Sequence, residues 1–483
     1  MADPKRIEQI LASPLARSVL RAVTRKRKSG DCLLAEVFEK YGSPDLTIKD
    51  RLRLWPFFAA ANYACAKAGG TRQGMRDGVF RHRARARALV NTARAIGRYG
   101  LVKPQTFSAP LMVVWNFTQA CNFRCVHCYQ NAQTRLPDEL TLDEQLAFVD
   151  QLCEIDVPML AFSGGEPMIS PNFWPVVEHA GKRGLYMTLA TNGSFLTPES
   201  VARLVQAGVR YAEVSVDSVS PEKHDRFRGV KGSWEKAVGG LKNAIANGKM
   251  RTGLAATITR QNFGELKDLI EFAIRIGAQT FYAFNFIPTG RGCDISEEDL
   301  SPGQREEMLR ILHRYLCEHR IAIVSSAPQL ARACLSFPIP EGMTGMINTG
   351  HYGASEGERA KILAKYTGGC GAGRCYLAVQ PNGVVTPCVF MSIPVGNIRE
   401  KPLAEIWGAS DVFNTLRDRD DRSDHCLNCD YKYHCGGCRA RSWGYYHDLR
   451  RGDPGCLRNA ELWKELQPKA AEDGKIPLFE GKK

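Results

Sequence analysis

The chain has 483 residues, of which 44% are hydrophobic and 24% charged, and this is enough apolar material for the cores of two or three domains. It contains no run of about 18 apolar residues and no basic leader followed by an apolar stretch. These features argue against a membrane-spanning or secreted protein and favour a cytoplasmic location. Seventeen cysteines in such a chain indicate metal ligation, because the cytosol keeps thiols reduced.

The first 108 residues are strongly basic. They hold 22 Lys and Arg against 8 Asp and Glu, so this segment accounts for the whole net charge of +14. Apolar residues recur in it at helical spacing, as in the amphipathic stretch 5–24, and we expect helices without strands. The charge predicts peripheral contact with an anionic membrane surface or another anionic partner. The alternative is that these helices pack on the rest of the protein.

Six short apolar runs alternate with amphipathic helices between residues 109 and 319. The runs lie at 111–115, 159–162, 185–189, 211–216, 254–258 and 281–286. Thr141 and Glu144 form a capping box that predicts the start of the first connecting helix. The alternation predicts an α/β fold with a parallel sheet, a partial (β/α)6 barrel of the TIM type, whose chemistry lies at the carboxyl ends of the strands.

The rest of the chain divides by composition. Residues 320–369 have no clear period and predict an irregular linker or a substrate-facing insertion. Cysteines crowd residues 370–460, and a polar tail at 461–483 ends the chain. The predicted order is therefore a helical segment at 1–108, a partial barrel, a linker, a cysteine-rich domain and a tail.

Three cysteines follow the first predicted strand, in the pattern C-x3-C-x2-C. They are Cys121, Cys125 and Cys128. Three thiolates on one loop are one too few for a four-iron cluster, so one iron would stay open to a small molecule. A zinc loop is the alternative, although zinc sites favour pairs of cysteines with a second pair elsewhere in the chain.

This motif resembles the signature of the radical S-adenosylmethionine (SAM) enzymes. The resemblance implies that the amine and carboxylate of SAM chelate the open iron of a [4Fe–4S] cluster. It also implies a low-potential electron donor, a ferredoxin or a flavodoxin, whose electron cleaves SAM to a 5′-deoxyadenosyl radical that abstracts hydrogen from a substrate. The family places an aromatic residue before the third cysteine, where this chain has His127, so His127 is expected beside the adenine.

The later strand ends carry further motifs that resemble this family. Ser163-Gly-Gly-Glu-Pro167 is similar to a turn that receives the methionine ammonium, here through Gly164, Gly165 and Glu166. By the same resemblance, polar groups after the third and fourth strands face the ribose and carboxylate, and an arginine beyond them reaches the carboxylate. An apolar residue after the sixth strand seats the adenine. These residues are Asn192, Ser215, Asp217, Arg228 and Ile287.

Eight cysteines in the last quarter of the chain could ligate two further four-iron clusters. Their pattern resembles the SPASM extension of radical SAM enzymes, apart from a last pair that is spaced by two residues instead of three. The resemblance implies an inner auxiliary cluster on Cys370, Cys375, Cys388 and Cys438, and an outer one on Cys426, Cys429, Cys435 and Cys456. Two structural zinc sites need the same number of ligands and are the alternative. Auxiliary clusters can take up an electron, which favours a net oxidation.

The segments 285–292 and 435–441 resemble the branch of the family that oxidises propionate side chains of tetrapyrroles in haem-pathway and haem d1 formation. Arg439 and Arg441 suit such carboxylates. A peptide maturase and a lipid-modifying enzyme are the alternative enzymes, although peptide maturases commonly carry an N-terminal domain with strands. A zinc or iron–sulfur binding protein is the non-enzymatic alternative. We expect no nucleic acid partner, because the basic residues are not interleaved with aromatics.

Overall fold

The computed structural model describes residues 4–28, 30–43, 45–67, 70–348 and 354–473. The N-terminal segment is helical in its described part, as predicted. Its helices are α1 (Pro4–Ala12), α2 (Pro14–Thr24), α3 (Leu33–Lys40), α4 (Ile48–Lys67), α5 (Arg72–Met75) and α6 (Arg83–Tyr99), with a π-helical turn at Arg76–Phe80. None of the helices among the described residues is long and apolar enough to cross a membrane.

One large sheet organises the rest of the molecule. Its strands are β1 (Met112–Thr118), β2 (Met159–Gly164), β3 (Tyr186–Thr191), β4 (Val209–Ser215), β5 (Arg251–Ile258), β6 (Thr280–Asn285) and β7 (Ala322–Ser325). A separate pair follows, β8 (Met346–Asn348) and β9 (Ala354–Glu356), and then β10 (Tyr376–Val379), β11 (Val384–Thr386) and β12 (Gly396–Asn397) rejoin the large sheet. The ten strands are ordered β12-β11-β10-β1-β2-β3-β4-β5-β6-β7, so the sheet is an open barrel.

Helices connect the parallel strands and cover the outside of the barrel. They are α7 (Leu142–Glu154), α8 (Phe173–Lys182), α9 (Pro198–Ala207), α10 (Pro221–Arg228), α11 (Ser233–Asn247), α12 (Leu266–Arg275), α13 (Pro302–Glu318) and α14 (Gln329–Ser336). The C-terminal part contains α15 (Gly357–Thr367), α16 (Leu403–Ala409), α17 (Asp411–Arg417), α18 (Asp424–Leu427), α19 (Arg439–Tyr446) and α20 (Ala460–Asp473). Short 3₁₀ turns lie at Pro167–Ile169, Phe263–Glu265, Gly290–Glu298 and Leu457–Asn459.

The predicted α/β fold with a partial barrel is confirmed. All six expected strands are present, and the capping box of Thr141 and Glu144 starts α7. The strands and the amphipathic helices between them bury a continuous apolar core, in which Trp115, Phe117 and Phe162 pack with one another. The alternation of apolar runs and helices was therefore a sufficient guide to this layer.

Two expectations about regular structure were wrong. The region 320–369, expected to be irregular, supplies β7, which pairs with β6, and the helix α14. Four residues are too few to show a period, so the strand owes its order to pairing with β6 rather than to local preference. The expected tail forms α20, in which Trp463 and Leu466 pack on Tyr445, and residues 474–483 lie outside the described residues.

The cysteine-rich region shares the sheet of the barrel. β10 runs parallel to β1, with Met112 opposite Tyr376 and Trp115 opposite Val379. β11 and β12 then add an antiparallel extension. The C-terminal region thus extends the same sheet as the strands of the barrel.

A buried group of four charges joins the two halves further. Asp299, after β6, accepts hydrogen bonds from Arg305 at 2.5 Å and from Arg441 of α19 at 3.1 Å. Arg441 also lies 3.6 Å from Asp453, whose other carboxylate oxygen accepts a hydrogen bond from the Cys438 amide at 2.8 Å. The four side chains are 0–1% exposed. Two cations are thus balanced by two anions in a medium that penalises an unpaired charge.

We expect Asp299→Ala to destabilise the protein by about 3–5 kcal/mol, because it leaves buried arginines without their shared partner. Glu307→Ala is the matched control, since it removes an exposed ion pair with Arg310 on the same helix as Arg305, and it should cost at most about 1 kcal/mol. Urea unfolding of both variants, prepared without oxygen, measures the difference. Equal losses would contradict the role given to Asp299.

Candidate active site

The three N-terminal cysteines lie on the loop that leaves the carboxyl end of β1. Their thiols line a cavity of about 620 Å³ inside the barrel, to which every strand from β1 to β7 contributes side chains. The cavity also receives Gly164, Gly165 and Ser215 from the ends of β2 and β4. The structure therefore brings the cysteine loop and these residues from two other strand ends to one cavity.

The cysteine loop is fastened by backbone hydrogen bonds to later segments. The amides of Arg124 and Val126 donate to the carbonyls of Arg228 and Phe227 at 3.1 and 3.0 Å. On its other side, the Arg291 guanidinium donates to the Cys125 carbonyl at 2.9 Å. The loop is thus held in place by the end of α10 and by the turn after β6.

Each of the three sulfurs accepts an N–H group. The Phe123 amide donates to Cys121 and the Ala132 amide to Cys128, both at 3.4 Å. The Arg228 guanidinium donates to Cys125 at 3.7 Å. Burial raises the pKa of the Cys121 thiol to about 12, so this thiol stays protonated at neutral pH without a metal, and metal binding would deprotonate it.

The Gly-Gly-Glu-Pro turn packs directly against the segment that enters the cysteine loop. The amides of Gly165 and Glu166 donate to the carbonyls of Thr118 and Ala120, both at 2.8 Å. A Cβ atom on Gly165 would overlap the Ala120 carbonyl oxygen. This close approach, rather than a left-handed φ, is the reason for glycine at position 165.

The Glu166 side chain lies inside the protein. Its carboxylate accepts hydrogen bonds from the Thr191 hydroxyl and the Asn192 amide, each at 2.9 Å, and so ties the turn to the end of β3. Burial raises the pKa of Glu166 to about 7. The side chain of Asn192 bonds Asn122 of the cysteine loop at 2.8 Å. Both residues brace the loop, and Asn192 also lines the cavity together with the two glycines.

Asp217 and Arg228 form a buried ion pair, 2.6 Å long, below the cysteine loop. Burial alone would raise the pKa of Asp217, but the Arg228 guanidinium outweighs it and holds the pKa below its ordinary value. The Thr257 amide also donates to Asp217, at 2.8 Å. Asp217 therefore acts on the cavity through Arg228, which lines it and faces Cys125.

The His127 ring stacks on Phe227, with 4.1 Å between ring centroids and 12° between planes. Burial, assisted by the charge of Arg228, lowers the pKa of His127 to about 3, so the ring is neutral. His127 and Ile287 both line the cavity, in keeping with the positions expected for an adenine site.

The cavity fits a polar cofactor held beside three thiols. Within the described part of the chain, the lining residues that bury polar atoms without a hydrogen-bond partner include His127 (Nδ1), Asn285 (Nδ2) and Arg291 (Nη2). A bound ligand can supply these partners. No group of three or more Cys, His, Asp or Glu among the described residues meets at one point as ligands of a single ion do. A four-iron cluster takes each thiolate to a different iron and does not need such a point.

The C-terminal cysteines fall into two neighbourhoods. Burial raises the pKa of Cys388 and Cys438 to about 12, and the charge of Cys370 contributes in both cases. Burial likewise raises the pKa of Cys456 to about 12 and that of Cys435 above its ordinary value, with Cys426 contributing in both. Cys370, Cys388 and Cys438 also line one small cavity of about 30 Å³.

The charges around these thiols fit anionic clusters. Three arginines there are 0–2% exposed, namely Arg374, Arg419 and Arg439. Most of their hydrogen bonds go to backbone carbonyls, such as those of Gly368, Cys370 and Leu449, and Arg439 also donates to the Cys426 sulfur at 4.0 Å. Buried guanidinium groups require a compensating negative charge, and thiolate-bound clusters would supply it.

Sequence reasoning missed several residues of the cavity. Glu213 and Arg251 reach it from β4 and β5, and burial raises the pKa of Glu213 to about 7. Tyr129, next to Cys128, packs its ring against Phe390, whose amide donates to the Cys388 sulfur at 3.5 Å. The alternation of inward-facing positions along each strand could have identified Glu213, but no local signal indicates the contact between Tyr129 and Phe390.

Comparison with known proteins identifies the class to which this fold and site belong. Residues 115–273 match the radical SAM superfamily, and residues 370–430 match SPASM, an iron–sulfur cluster-binding domain. An AdoMet-dependent heme synthase of Methanosarcina barkeri is 34% identical over 352 residues, which cover 72% of this chain and 97% of that protein. The chain therefore belongs to the radical SAM superfamily. It is an enzyme whose cofactors are [4Fe–4S] clusters and SAM.

Other similar proteins carry out different modifications. The mycofactocin maturase MftC of Mycolicibacterium smegmatis is 29% identical over 374 residues, covering 76% of this chain and 88% of that protein. Among solved structures, SuiB of Streptococcus suis bound to its precursor peptide SuiA superposes with a TM-score of 0.63 at 15% identity, covering 88% of this chain and 93% of that one. This last likeness establishes the fold alone.

We expect Gly165→Ala to weaken SAM binding by about tenfold or more, because relieving the overlap with Ala120 costs about 1–3 kcal/mol and displaces the turn. Gly239→Ala is the control, since a Cβ atom there meets nothing within 4 Å and alanine favours its helix. Calorimetric titration of SAM into the anaerobic proteins measures the effect. Unchanged affinity in Gly165→Ala would show that the turn does not form the SAM site.

Proposed function

We propose that this enzyme oxidatively modifies a propionate side chain of a tetrapyrrole. The observation that carries the proposal is the similarity to the heme synthase, at 34% identity over nearly the whole length of that protein. A net oxidation needs an electron acceptor, and clusters on the second group of cysteines, which lies beside the same cavity, would provide one.

We propose three clusters for the enzyme. Cys121, Cys125 and Cys128 would hold the SAM-binding cluster. The inner auxiliary cluster would use Cys370, Cys375, Cys388 and Cys438, and the outer one Cys426, Cys429, Cys435 and Cys456. The charge of Cys370 contributes to the raised pKa of both Cys388 and Cys438, and the charge of Cys426 contributes to that of both Cys435 and Cys456. These two sets of neighbours support the partition.

The protein groups around SAM would have separate tasks. The backbone of Gly164 and Gly165 would receive the ammonium, and Ser215 the ribose. Arg228 would attract the carboxylate while Asp217 keeps it in place. His127 and Ile287 would bracket the adenine, since the neutral ring of His127 has one face on Phe227. Glu166 would help to receive the ammonium, and Asn192, which lines the cavity, would face the ribose and carboxylate.

When bound and reduced, the SAM-binding cluster supplies a 5′-deoxyadenosyl radical that removes one hydrogen atom from the substrate. Loss of carbon dioxide from the resulting propionate radical would leave a vinyl group and one electron. The inner auxiliary cluster would accept this electron. Tyr376 would stand between the substrate and that cluster, because it lines the cavity and donates its hydroxyl to Cys388 at 3.2 Å.

The cavity suits part of a carboxylate-rich substrate. Its volume of about 620 Å³ lies in the range of small-molecule sites, and SAM has to occupy some of it. A propionate side chain can therefore enter while the macrocycle stays near the opening. Arg251 and Arg291 line the cavity and offer charge-assisted hydrogen bonds to the carboxylates.

Modification of a ribosomally made peptide is the second candidate. The similarity to the mycofactocin maturase, at 29% identity, favours it. The same cluster arrangement would serve either reaction, since both leave an electron on the substrate after hydrogen abstraction. The chemistry of the substrate carried into the cavity is what separates the two.

We also propose a low-potential ferredoxin or flavodoxin as electron donor and peripheral contact with an anionic membrane. The helix α4 supports the membrane contact, because it exposes apolar side chains beside the cations Lys49 and Arg51. These apolar residues are Ile48, Leu52, Trp55 and Tyr63. We further propose that the chain divides into five segments, at 1–108, 109–319, 320–369, 370–460 and 461–483.

The function is tested on protein prepared without oxygen and reduced with dithionite. We expect about twelve irons per chain, formation of 5′-deoxyadenosine, and loss of carbon dioxide from an iron-bound tetrapyrrole carrying propionates. Cys125→Ala should retain about two-thirds of the iron and form no 5′-deoxyadenosine, whereas Cys435→Ala should form it without product. Mass spectrometry follows both products. Turnover by Cys125→Ala, or modification of a peptide in place of the tetrapyrrole, would overturn the proposal.

Tyr376→Phe tests the link between the cavity and the auxiliary thiols. A hydrogen bond to a ligating sulfur stabilises the reduced state, so its removal should lower the midpoint potential of the inner auxiliary cluster. Redox titration followed by electron paramagnetic resonance measures the shift, and Tyr186→Phe, which removes a hydroxyl elsewhere in the cavity, is the control. Equal potentials in both variants would show that Cys388 is not a ligand of that cluster.

A further inference from the structure

A basic groove lies outside the cavity of the barrel, where the N-terminal helices meet both other parts of the chain. Its volume is about 590 Å³, and it is lined by Arg21, Thr24, Arg25, Lys26, Arg94, Arg98, Ser108, Ile155 and Ala404. Five of these nine residues are cations, supplied by the end of α2, the chain just beyond it, and α6. The remaining residues come mainly from the edge of the barrel and from α16. We call this site the basic groove.

Internal contacts use only part of this positive charge. Arg94 pairs with Asp156 at 2.6 Å, and Arg21 donates to the Gly97 carbonyl at 2.6 Å. Arg25 is exposed and has no hydrogen-bond or ion-pair partner within the described part of the chain. Arg98 is exposed as well, with its guanidinium 5.1 Å from the ring of Tyr99. The groove therefore presents charge that the fold itself leaves available.

Two side chains, Trp407 and Arg417, link the edge of the basic groove to the backbone beside an auxiliary thiol. Trp407 donates its indole N–H to the carbonyl of Phe107 at 2.9 Å, and Phe107 directly precedes the groove residue Ser108. The Arg417 guanidinium stacks on Trp407, 4.7 Å from the ring centroid. It also donates to the carbonyl of Gly373 at 2.9 Å, two residues before Cys375.

We propose that the basic groove docks an acidic one-electron carrier protein, which reduces the cluster that Cys375 would ligate. The proposal rests on the proposed function for the existence of that cluster. One electron passes from the reduced carrier, which becomes oxidised, to this cluster. The cluster passes the electron on to the SAM-binding cluster and is thereby oxidised again, so that it can later take up the electron from the substrate. No proton is transferred and no bond is broken in this relay. The site is separate from the cavity that holds SAM and substrate.

The shape and charge of the groove favour a protein over a membrane. A bilayer is flat, so a concave groove recedes from it, whereas the convex surface of a small carrier can enter. Several carboxylates spaced on an acidic surface match cations that are spread over two helices better than one small anion does. Such complementarity acts mainly on the association rate and falls with ionic strength.

The test compares Arg25→Glu/Arg98→Glu with Lys242→Glu/Lys249→Glu, which changes the net charge equally on exposed residues outside the groove. The probe is a flavodoxin. We expect the groove variant to bind it about tenfold more weakly than wild type in calorimetry at low salt, and the control variant to bind it normally. SAM cleavage driven by reduced flavodoxin should fall about tenfold relative to cleavage driven by dithionite in the same variant.

The other possible outcomes contradict either the docking proposal or the proposed function. Unchanged flavodoxin binding in the groove variant, or an equal loss in the control variant, overturns the proposal. If the groove variant loses only its affinity for phosphatidylserine-containing vesicles, the groove is a lipid site and the proposal is wrong. Failure of wild type to cleave SAM with dithionite would instead refute the proposed function, while the binding measurement would still decide the groove.

Discussion

The parallel pairing of β10 with β1 is the constraint that places both groups of cysteines beside one cavity. β1 leads into the loop of Cys121, and Cys375 immediately precedes β10. Because the register sets Met112 opposite Tyr376, a slip of this pairing by one residue would turn the Tyr376 side chain away from the cavity that it lines. The ring contact between Tyr129 and Phe390 is a second link between the first cysteine loop and the C-terminal region. The relative position of the two groups of cysteines thus depends on a single strand pair.

Buried charge has to be compensated wherever this arrangement brings thiols inside the protein. Near Cys125 the compensation is explicit, since Arg228 bonds both Asp217 and Cys125. Between the barrel and the C-terminal region, Asp299 and Asp453 balance Arg305 and Arg441. Around the C-terminal thiols, by contrast, Arg374, Arg419 and Arg439 bond mainly to carbonyls, which does not balance their charge, and Arg374 and Arg419 bury N–H groups without a partner among the described residues. Metal-bound thiolates are the partners that would complete this last set.

The sequence allowed the barrel and the position of the first cysteine loop to be predicted because both depend on local patterns. Apolar runs of four to six residues between amphipathic helices identify strands, and Cys121, Cys125 and Cys128 stand directly after one of them. β7 could not be predicted, since its four residues form a strand only when β6 is beside them. The pairing of β10 with β1 joins positions more than 250 residues apart and leaves no periodic signal in either segment.

A motif states which residues occur near a site but not which atoms contact one another there. Here the side chains of Glu166 and Asn192 bond Thr191 and Asn122, and Asn192 also lines the cavity. The residues that face the cavity deeper in the barrel, Glu213 and Arg251, belong to no motif because strand alternation alone brings them inward. These two residues contribute opposite charges to the cavity when Glu213 is ionised, so any carboxylate inside it is repelled from β4 and attracted toward Arg251.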